Sequence, residues 1–403
     1  MLNTITYRKL TMNPLHQVII KTLYFSGSMS ITELSKNIRK SIPNTTNSIQ
    51  YLLEKNIITC EGLAPSTGGR RATNYSLNGK DLPFILAISI DQYSFTITLL
   101  DLSNNIVKES LQETINLQVD SSNLHVRILE RIDHYLADQL AAKILIVGIT
   151  MPGFVNSAKG INTSYSEQHP LFNIRDIIQQ HLKCPAYIEN DSAAIAIAEH
   201  NYGKAMDTEN ALVINLNWGV GMGMILKNEL FRGSLGFAGE FSHIPLSDQN
   251  KLCSCGKKGC LEVEASLLAA IECASLKLDA GEVSILGKLY QLERKITIDQ
   301  LMEAAIDGDQ LAINSFSRIG YMLGKGIATL IHIVNPEKVI ISGHGAKIGQ
   351  ILLPQIQAAI VEFSINRLSK HTSIEISSLL NVQLIGTASI AILALNGETL
   401  NIN

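Results

Sequence analysis

One imidazole and three thiols fall within eighteen residues of this chain: His243, Cys253, Cys255 and Cys260. Three cysteines and one histidine are the donor set of a closed tetrahedral zinc site, and four protein ligands leave no open position, which argues for a structural metal. Gly256 and Gly259 sit between the cysteines, where a chain doubling back on an ion calls for backbone angles that a Cβ disfavours. Incidental cysteines or a redox pair are the rival readings. The spacing Cys-x-Cys-x₄-Cys with a histidine upstream favours zinc. Glu240 and Glu262 bracket the run, and a rigid metal loop would hold both carboxylates still, as a site for a polar ligand requires. Taken singly, either glutamate reads as a solvated surface residue.

A chain of 403 residues is too long for one ordinary core, so two or three domains must position this run. The composition, 46% hydrophobic and 17% charged with one tryptophan, is that of a soluble globular protein. The first residues lack an apolar signal-like core, and no run of about eighteen apolar residues occurs, so a cytoplasmic protein without membrane spans is expected. Six cysteines, three of them assigned to the metal, fit a reducing compartment better than a disulfide framework.

Charge is distributed unevenly. Residues 1–80 carry ten basic against three acidic side chains, a balance of +7 that leaves −10 for the rest of a chain totalling −3. A basic first fifth on an acidic body points to a polyanion as its partner. Pro14 to Phe25 reads as an amphipathic helix broken by Gly27-Ser28. Ser30 and Glu33 form the capping-box pattern of a second helix. A third helix is predicted over Pro43–Lys55, with Thr45, Ile49, Leu52 and Leu53 on one stripe and Asn44, Asn47, Ser48 and Tyr51 on the other. Two strands then follow, Ile57-Ile58-Thr59 and Tyr75-Ser-Leu, joined by a tip that contains Gly-Gly-Arg70-Arg71.

Three short helices and a basic hairpin make a winged helix-turn-helix. Its third helix would bring Asn44, Thr46 and Asn47 to the major groove of double-stranded DNA. The wing would lay Arg70 and Arg71 along the backbone or into the minor groove. The competing reading is a small helical domain for protein contacts, its arginines merely solvated.

From residue 82 the pattern becomes α/β. Strands are expected in Phe84–Leu100 (two, turning near Asp91–Tyr93), Ile144–Ile149, Ala186–Glu189 and Ala211–Leu216. Gly219-Val-Gly-Met-Gly would be a turn before a further strand, and Asn335-Pro-Glu-Lys-Val-Ile-Ile-Ser-Gly-His-Gly a strand ending in a glycine pair. Strand-then-glycine units of this kind put ligands at the edges of a mixed sheet in each of two lobes. Asn190-Asp191 alone could be no more than the cap of the helix that follows.

Four motifs occur in order: Glu189-Asn190-Asp191-Ser-Ala-Ala, Gly239-Glu240-Phe-Ser-His243, Cys253-x-Cys255-Gly-x-x-Gly-Cys260-Leu-Glu262, and Asn335-Pro-Glu with Gly343-x-Gly345. This series resembles the ROK family of repressors, open reading frames and sugar kinases. The resemblance covers the chain from about residue 82. It implies a ribonuclease-H-like fold of the actin/hexokinase type, two lobes around a sugar cleft. An added winged helix matches the repressor branch, which includes glucose-, xylose- and N-acetylglucosamine-responsive regulators. The implied domains are 1–80 for the DNA reader, 81–195 with 386–403 for the first lobe, and 196–385 for the second. Carried over by position, the resemblance puts Asn190, Asp191, Glu240, His243 and Glu262 on sugar hydroxyls. Carboxylates accept paired hydroxyl hydrogen bonds, and a metal-bound imidazole has its other nitrogen fixed in tautomer. In the kinases of the family the aspartate equivalent to Asp191 takes the proton from the attacking hydroxyl.

The chain departs from those kinases where ATP phosphates would sit. Their first-strand Asp-x-Gly-Gly-Thr aligns with Ser89-Ile90-Asp91-Gln92-Tyr93, and their Gly-Thr-Gly-Ile-Gly-Gly-Gly with Asn217-Trp218-Gly219-Val220-Gly221-Met222-Gly223. A phosphate cradle needs backbone N–H groups that glycine lets come close, so no catalytic role is expected for Asp191. Ser242 stands where the family has glycine, and Thr163–Asn173 lacks the family's sugar-loop pattern. The expected function is a DNA-binding repressor of sugar-metabolism genes, dimeric or tetrameric, controlled by a sugar or sugar derivative. An ATP-dependent sugar kinase and a regulator sequestered by a phosphotransfer protein are the alternatives.

Overall fold

The computed structural model describes residues 12–63, 73–79, 83–136, 140–247 and 249–395. The chain divides into two compact units, Met1–Asp191 with Leu384–Asn403, and Ser192–Gln383. The N-terminal module falls in the first of these units, where Lys21 bonds the Leu393 carbonyl and Tyr24 bonds Asn104.

The N-terminal module is built from helices α1 (Pro14–Ser26), α2 (Ile31–Asn37) and α3 (Ile42–Glu54), with strands β1 (Met29–Ser30), β2 (Ile58–Leu63) and β3 (Thr73–Leu77). Asn13 caps α1 with Pro14 in its first turn, where a missing N–H costs nothing. Ser30 and Glu33 exchange hydrogen bonds at the start of α2, the capping box read from the sequence. The strands form one antiparallel sheet in the order β1-β3-β2, so the wing has a third strand that the sequence did not suggest.

The stripe on α3 differs from expectation. Thr45, Ser48, Ile49 and Leu52 are buried, whereas Leu53 is only half-buried. Positions i, i+3, i+4 and i+7 share a helix face, and Ser48 is small enough to sit in it. Tyr51 also turns inward, stacking on the His16 ring of α1 with centroids 4.4 Å apart and planes 7° from parallel.

The remainder of the first unit is a five-stranded sheet, ordered β10-β7-β4-β5-β6. Its strands are β4 (Phe84–Ile90), β5 (Ser94–Leu100), β6 (Ile106–Thr114), β7 (Ile144–Met151) and β10 (Ala186–Asn190); a small hairpin, β8 (Val155–Asn156) and β9 (Ile161–Asn162), follows β7. β4, β5 and β6 are antiparallel neighbours, while β7 and β10 run parallel to β4. Helices α4 (Leu117–Asp120), α5 (Leu124–Tyr135) and α6 (Ile174–Leu182) belong to this unit. Ile128 and Ile132 of α5 and Ile174 and Ile178 of α6 pack into a core with Ile88, Phe95, Ile97 and Ile149. β4 and β7 are buried along their whole length, as expected of strands covered on both faces.

The second unit repeats the arrangement. Its sheet runs β13-β12-β11-β14-β15, from β11 (Ala211–Leu216), β12 (Val220–Leu226), β13 (Glu229–Leu230), β14 (Lys338–Ser342) and β15 (Ser373–Ile376), again three antiparallel strands followed by two parallel ones. Helix α7 (Asp191–Tyr202) precedes it. Helices α8 (Glu262–Ala265), α9 (Leu267–Asp279), α10 (Gly287–Glu293), α11 (Ile298–Ile306) and α12 (Gln310–Val334) lie between the third and fourth strands. Helices α13 (Gly349–Phe363) and α14 (Asn366–Ser369) precede β15; α15 (Val382–Leu393), the last described helix, belongs from Leu384 onward to the first unit. Gly320 and Gly324 let α13 approach α12, since a Cβ on Gly324 would stand 2.5 Å from the Ile356 carbonyl.

The segment Gly219–Gly223, read as a turn, is mostly strand: β12 begins at Val220. Its glycines serve packing. A Cβ on Gly221 would lie 1.9 Å from Ser192 Oγ, and one on Gly223 2.3 Å from the Ala196 methyl of α7. Among the described residues no helix is long and apolar enough to cross a membrane.

Candidate functional site

The metal run folds as the donor set requires. Phe241 and Leu261 are buried in the core of the second unit, fixing the two ends from which His243 and Cys260 project. Gly326 of α12 makes room for this anchor, since a Cβ there would stand 2.5 Å from Leu261 Cδ2. Between the ends the chain folds back on itself. Pro245 bridges Cys260 and Leu252 bridges Lys258, with Cys253 N donating to Lys257 O at 2.8 Å and Ser247 N to Gly259 O at 3.0 Å. Gly256 and Gly259 take φ values of +83° and +75°, the left-handed region expected of them.

The donor atoms of His243, Cys253, Cys255 and Cys260 all lie within 4.8 Å of one another, so these four residues could hold a metal ion. Cys253 Sγ is 3.6 Å from His243 Nδ1, and Cys255 Sγ is 3.6 Å from Cys260 Sγ. The latter distance is far beyond a disulfide bond of about 2.05 Å. Burial and two neighbouring thiols push the Cys260 thiol up to about 12, so in the bare chain it holds its proton. A coordinated cation reverses that preference.

Glu240 and Glu262 stand beside this cluster. With Nδ1 turned to the sulfurs, His243 presents Nε2 outward, 3.6 Å from Glu240 Oε2. Glu262 Oε2 lies 3.5 Å from Ser242 Oγ, and its Oε1 lies 4.0 Å from Cys253 Sγ. The Glu262 carboxylate also closes on Gly219, where a Cβ would stand 3.1 Å from it. The second unit therefore brings Glu240, His243 and Glu262 together around the four donors. Two acceptors and one fixed imidazole N–H can bind a polyhydroxylated molecule.

Asn190 and Asp191 belong to the first unit. Asn190 ends β10 and Asp191 begins α7. The Asn190 side-chain NH₂ donates to Gly153 O at 3.1 Å. Glu189, 3% exposed, accepts from the Asn190 backbone N–H at 3.0 Å. Asp91, in the β4–β5 turn, accepts from Gln92 N at 2.6 Å. Burial pushes the Asp91 carboxyl up to about 6; the Gln92 N–H pulls it down, and the negative charge of Asp191 adds to the rise. Sequence reading passed over Asp91 as a lost glycine. It likewise missed a buried trio in which Thr387 Oγ1 meets Ser89 Oγ at 3.0 Å and Thr150 Oγ1 at 2.7 Å. No spacing signal links residues 89, 150 and 387; only the fold joins them.

On the N-terminal module Asn44, Thr46 and Asn47 are exposed on one face of α3. The Thr46 hydroxyl also bonds back to Ile42 O at 2.8 Å. Arg39 and Lys40, exposed in the turn leading into α3, present positive charge beside that face, and the basic pair was legible though not singled out. Arg70 and Arg71 lie outside the described residues.

Residues 85–393, from β4 to the end of α15, match the ROK family. This chain belongs to the ROK family. Among its relatives is the xylose repressor of Caldicellulosiruptor bescii, 28% identical over 370 residues that span 90% of this chain and 91% of that protein. The structure of a ROK family transcriptional regulator, a homologue of the Escherichia coli Mlc protein, superposes with a TM-score of 0.77 at 26% identity, covering 95% of this chain and 96% of that one. A ROK family glucokinase from Streptomyces griseus, solved with glucose and AMPPNP, gives a TM-score of 0.66 at 24% identity over 76% of this chain and 99% of its own. The kinase shares the fold over about three quarters of this chain. The regulator matches nearly all of it, winged helix included. The ROK fold expected from the sequence, a winged helix ahead of a two-lobed α/β body, is the fold observed.

Proposed function

We propose that this ROK protein is a DNA-binding transcriptional regulator, a repressor of sugar-metabolism genes, whose operator affinity is set by a sugar or sugar derivative. The observation that carries this reading is a winged helix with an exposed polar recognition face on the same chain as a carboxylate-and-imidazole cluster beside a metal-type loop. Asn190, Asp191, Glu240, His243 and Glu262 would bond the sugar hydroxyls. Asn44, Thr46, Asn47, Arg70 and Arg71 would contact operator DNA. Two winged helices in a homodimer, or in each half of a homotetramer built from two such dimers, would match the two-fold symmetry of an operator.

The metal is read as structural zinc. A tetrahedral ion with bonds of about 2.3 Å to sulfur and about 2.0 Å to nitrogen sets its ligands about 3.5–3.8 Å apart, and both separations of 3.6 Å agree with that. Zinc would brace the loop and orient the His243 ring, leaving Nε2 for the ligand. Catalysis finds less support. Where the kinases carry glycine in their first phosphate loop, this chain has the Asp91 carboxylate, which repels phosphate when ionised. Gly221 and Gly223 are engaged in packing against α7. Asp191 then acts as a sugar ligand without an electrophile held in line.

Operator fragments selected from genomic DNA provide the test. Binding should weaken steeply with salt, change on adding one of D-glucose, D-xylose or N-acetyl-D-glucosamine, and weaken in an Arg70→Ala/Arg71→Ala variant whose zinc content is unchanged. Sugar-dependent ATP consumption abolished by Asp191→Asn would establish the kinase instead. A repressor released only by a phosphotransfer protein would ignore every sugar.

A further inference from the structure

α15 touches both ends of the first unit. At its N-terminal half Thr387, fully buried, bonds the last polar residues of β4 and β7, Ser89 and Thr150. The helix backbone lies directly on β7, since a Cβ on Gly148 would stand 2.0 Å from the Thr387 carbonyl. β7 runs on through Pro152 to Gly153, whose carbonyl accepts from Asn190. At its C-terminal end the Leu393 carbonyl accepts from Lys21 Nζ of α1 at 3.1 Å, placing a cation on the negative end of the helix dipole. Tyr24 of α1 makes a second anchor, to Asn104 in the β5–β6 turn. In its first turn α1 meets α3, where the His16 ring lies flat on Tyr51.

We propose that α15 is the relay between the ligand edge of the first sheet and the DNA reader, with Lys21 as the positioning residue at its far joint. The proposal rests on the regulator reading above and adds its route. Occupancy at Asn190–Asp191 bears on Gly153 and the end of β7. Thr387 passes any change there to a rigid helix, and six residues later the helix end holds α1, which carries α3. Each step is a direct contact through packed elements, as coupling between distant sites requires. Tyr24 and Asn104 serve as the pivot about which α1 turns.

Two measurements on the full-length, zinc-loaded protein test this. The first follows operator affinity with and without the sugar that shifts it. Lys21→Met should leave sugar affinity and sugar-free operator affinity near wild type while reducing the sugar-induced shift by about fivefold or more. An undiminished shift overturns the relay. The second needs no sugar and reads hydrogen exchange of the α1 amides in a double-mutant cycle of Thr387→Val and Lys21→Met. The relay gives non-additive protection changes of about threefold or more, and additive changes overturn it. Thr387→Ser keeps the hydroxyl and should match wild type, separating the bond from general destabilisation. If no sugar affects wild-type operator binding, the regulator reading loses its effector while the exchange cycle still decides the relay.

Discussion

The two five-stranded sheets share one strand order and diverge at the same turn. In the first, β4 and β5 are joined by Asp91-Gln92-Tyr93, with Asp91 raised to about 6 by burial. In the second, β11 and β12 are joined by Asn217-Trp218-Gly219, with Glu262 against the glycine. The strand ends beside these turns are alike. Ser89 pairs with Thr150 across the first sheet and is tied by Thr387 of α15. Asn215 pairs with Ser342 across the second and is tied by Ser192 of α7, while Ser342 Oγ donates to the buried Glu199 at 2.8 Å. Each sheet thus ties its buried polar strand ends to one helix. What differs is the attachment: one lobe carries the DNA reader, the other the metal loop. A duplicated frame leaves its turns and insertions free to specialise.

Removing the metal should separate the lobes most sharply. Cys260→Ser or chelation is expected to abolish stoichiometric zinc and lower the second unit's melting transition by on the order of 10 °C. Amide exchange in α1–α3 should stay unchanged, and calorimetry with metal analysis reads both. A uniform loss across both units would break the distinction drawn here. Glu262→Gln should come next, weakening sugar binding about 10- to 100-fold as a charged acceptor is lost, with zinc content intact; titration calorimetry measures it.

The two polar ties rank third. Thr387→Val leaves the Ser89 and Thr150 hydroxyls without their shared partner and should cost about 1–3 kcal/mol. Ser192→Ala should cost less in the same urea titration, because it removes the side-chain bond to Asn215, where Thr387→Val removes two such bonds. Asp91 gives the smallest effect. Its folded pKa is raised from 3.8 to about 6, so the folded state binds more protons and stability falls as pH rises from about 4 to about 6. Asp91→Asn should flatten that slope and add about 1–2 kcal/mol at pH 7, after discounting for partial exposure.

Much of this was legible because local patterns carry it. The cysteine spacing, the Ser30–Glu33 box and the strand-then-glycine units each depend on residues close in sequence. α3 shows the limit. Its length was clear, yet Ser48 is buried, and Tyr51 turns inward because its stacking partner His16 comes from α1. The glycines of β12 show another, since α7 packing and a phosphate turn both call for glycine and sequence cannot tell which. No local pattern shows that Lys21 reaches the Leu393 carbonyl and Tyr24 reaches Asn104, because those partners are distant in sequence.

The residue order by itself determined the donor set, the basic reader and the repeating sheet pattern, because ligand type, charge and periodicity are properties of neighbouring residues. Only the tertiary structure decided which buried hydroxyls meet across three hundred positions, which glycines are packing surfaces, and that one terminal helix spans from strand ends to DNA reader. Those contacts are long-range, and their partners are chosen by the fold that brings them within hydrogen-bond reach.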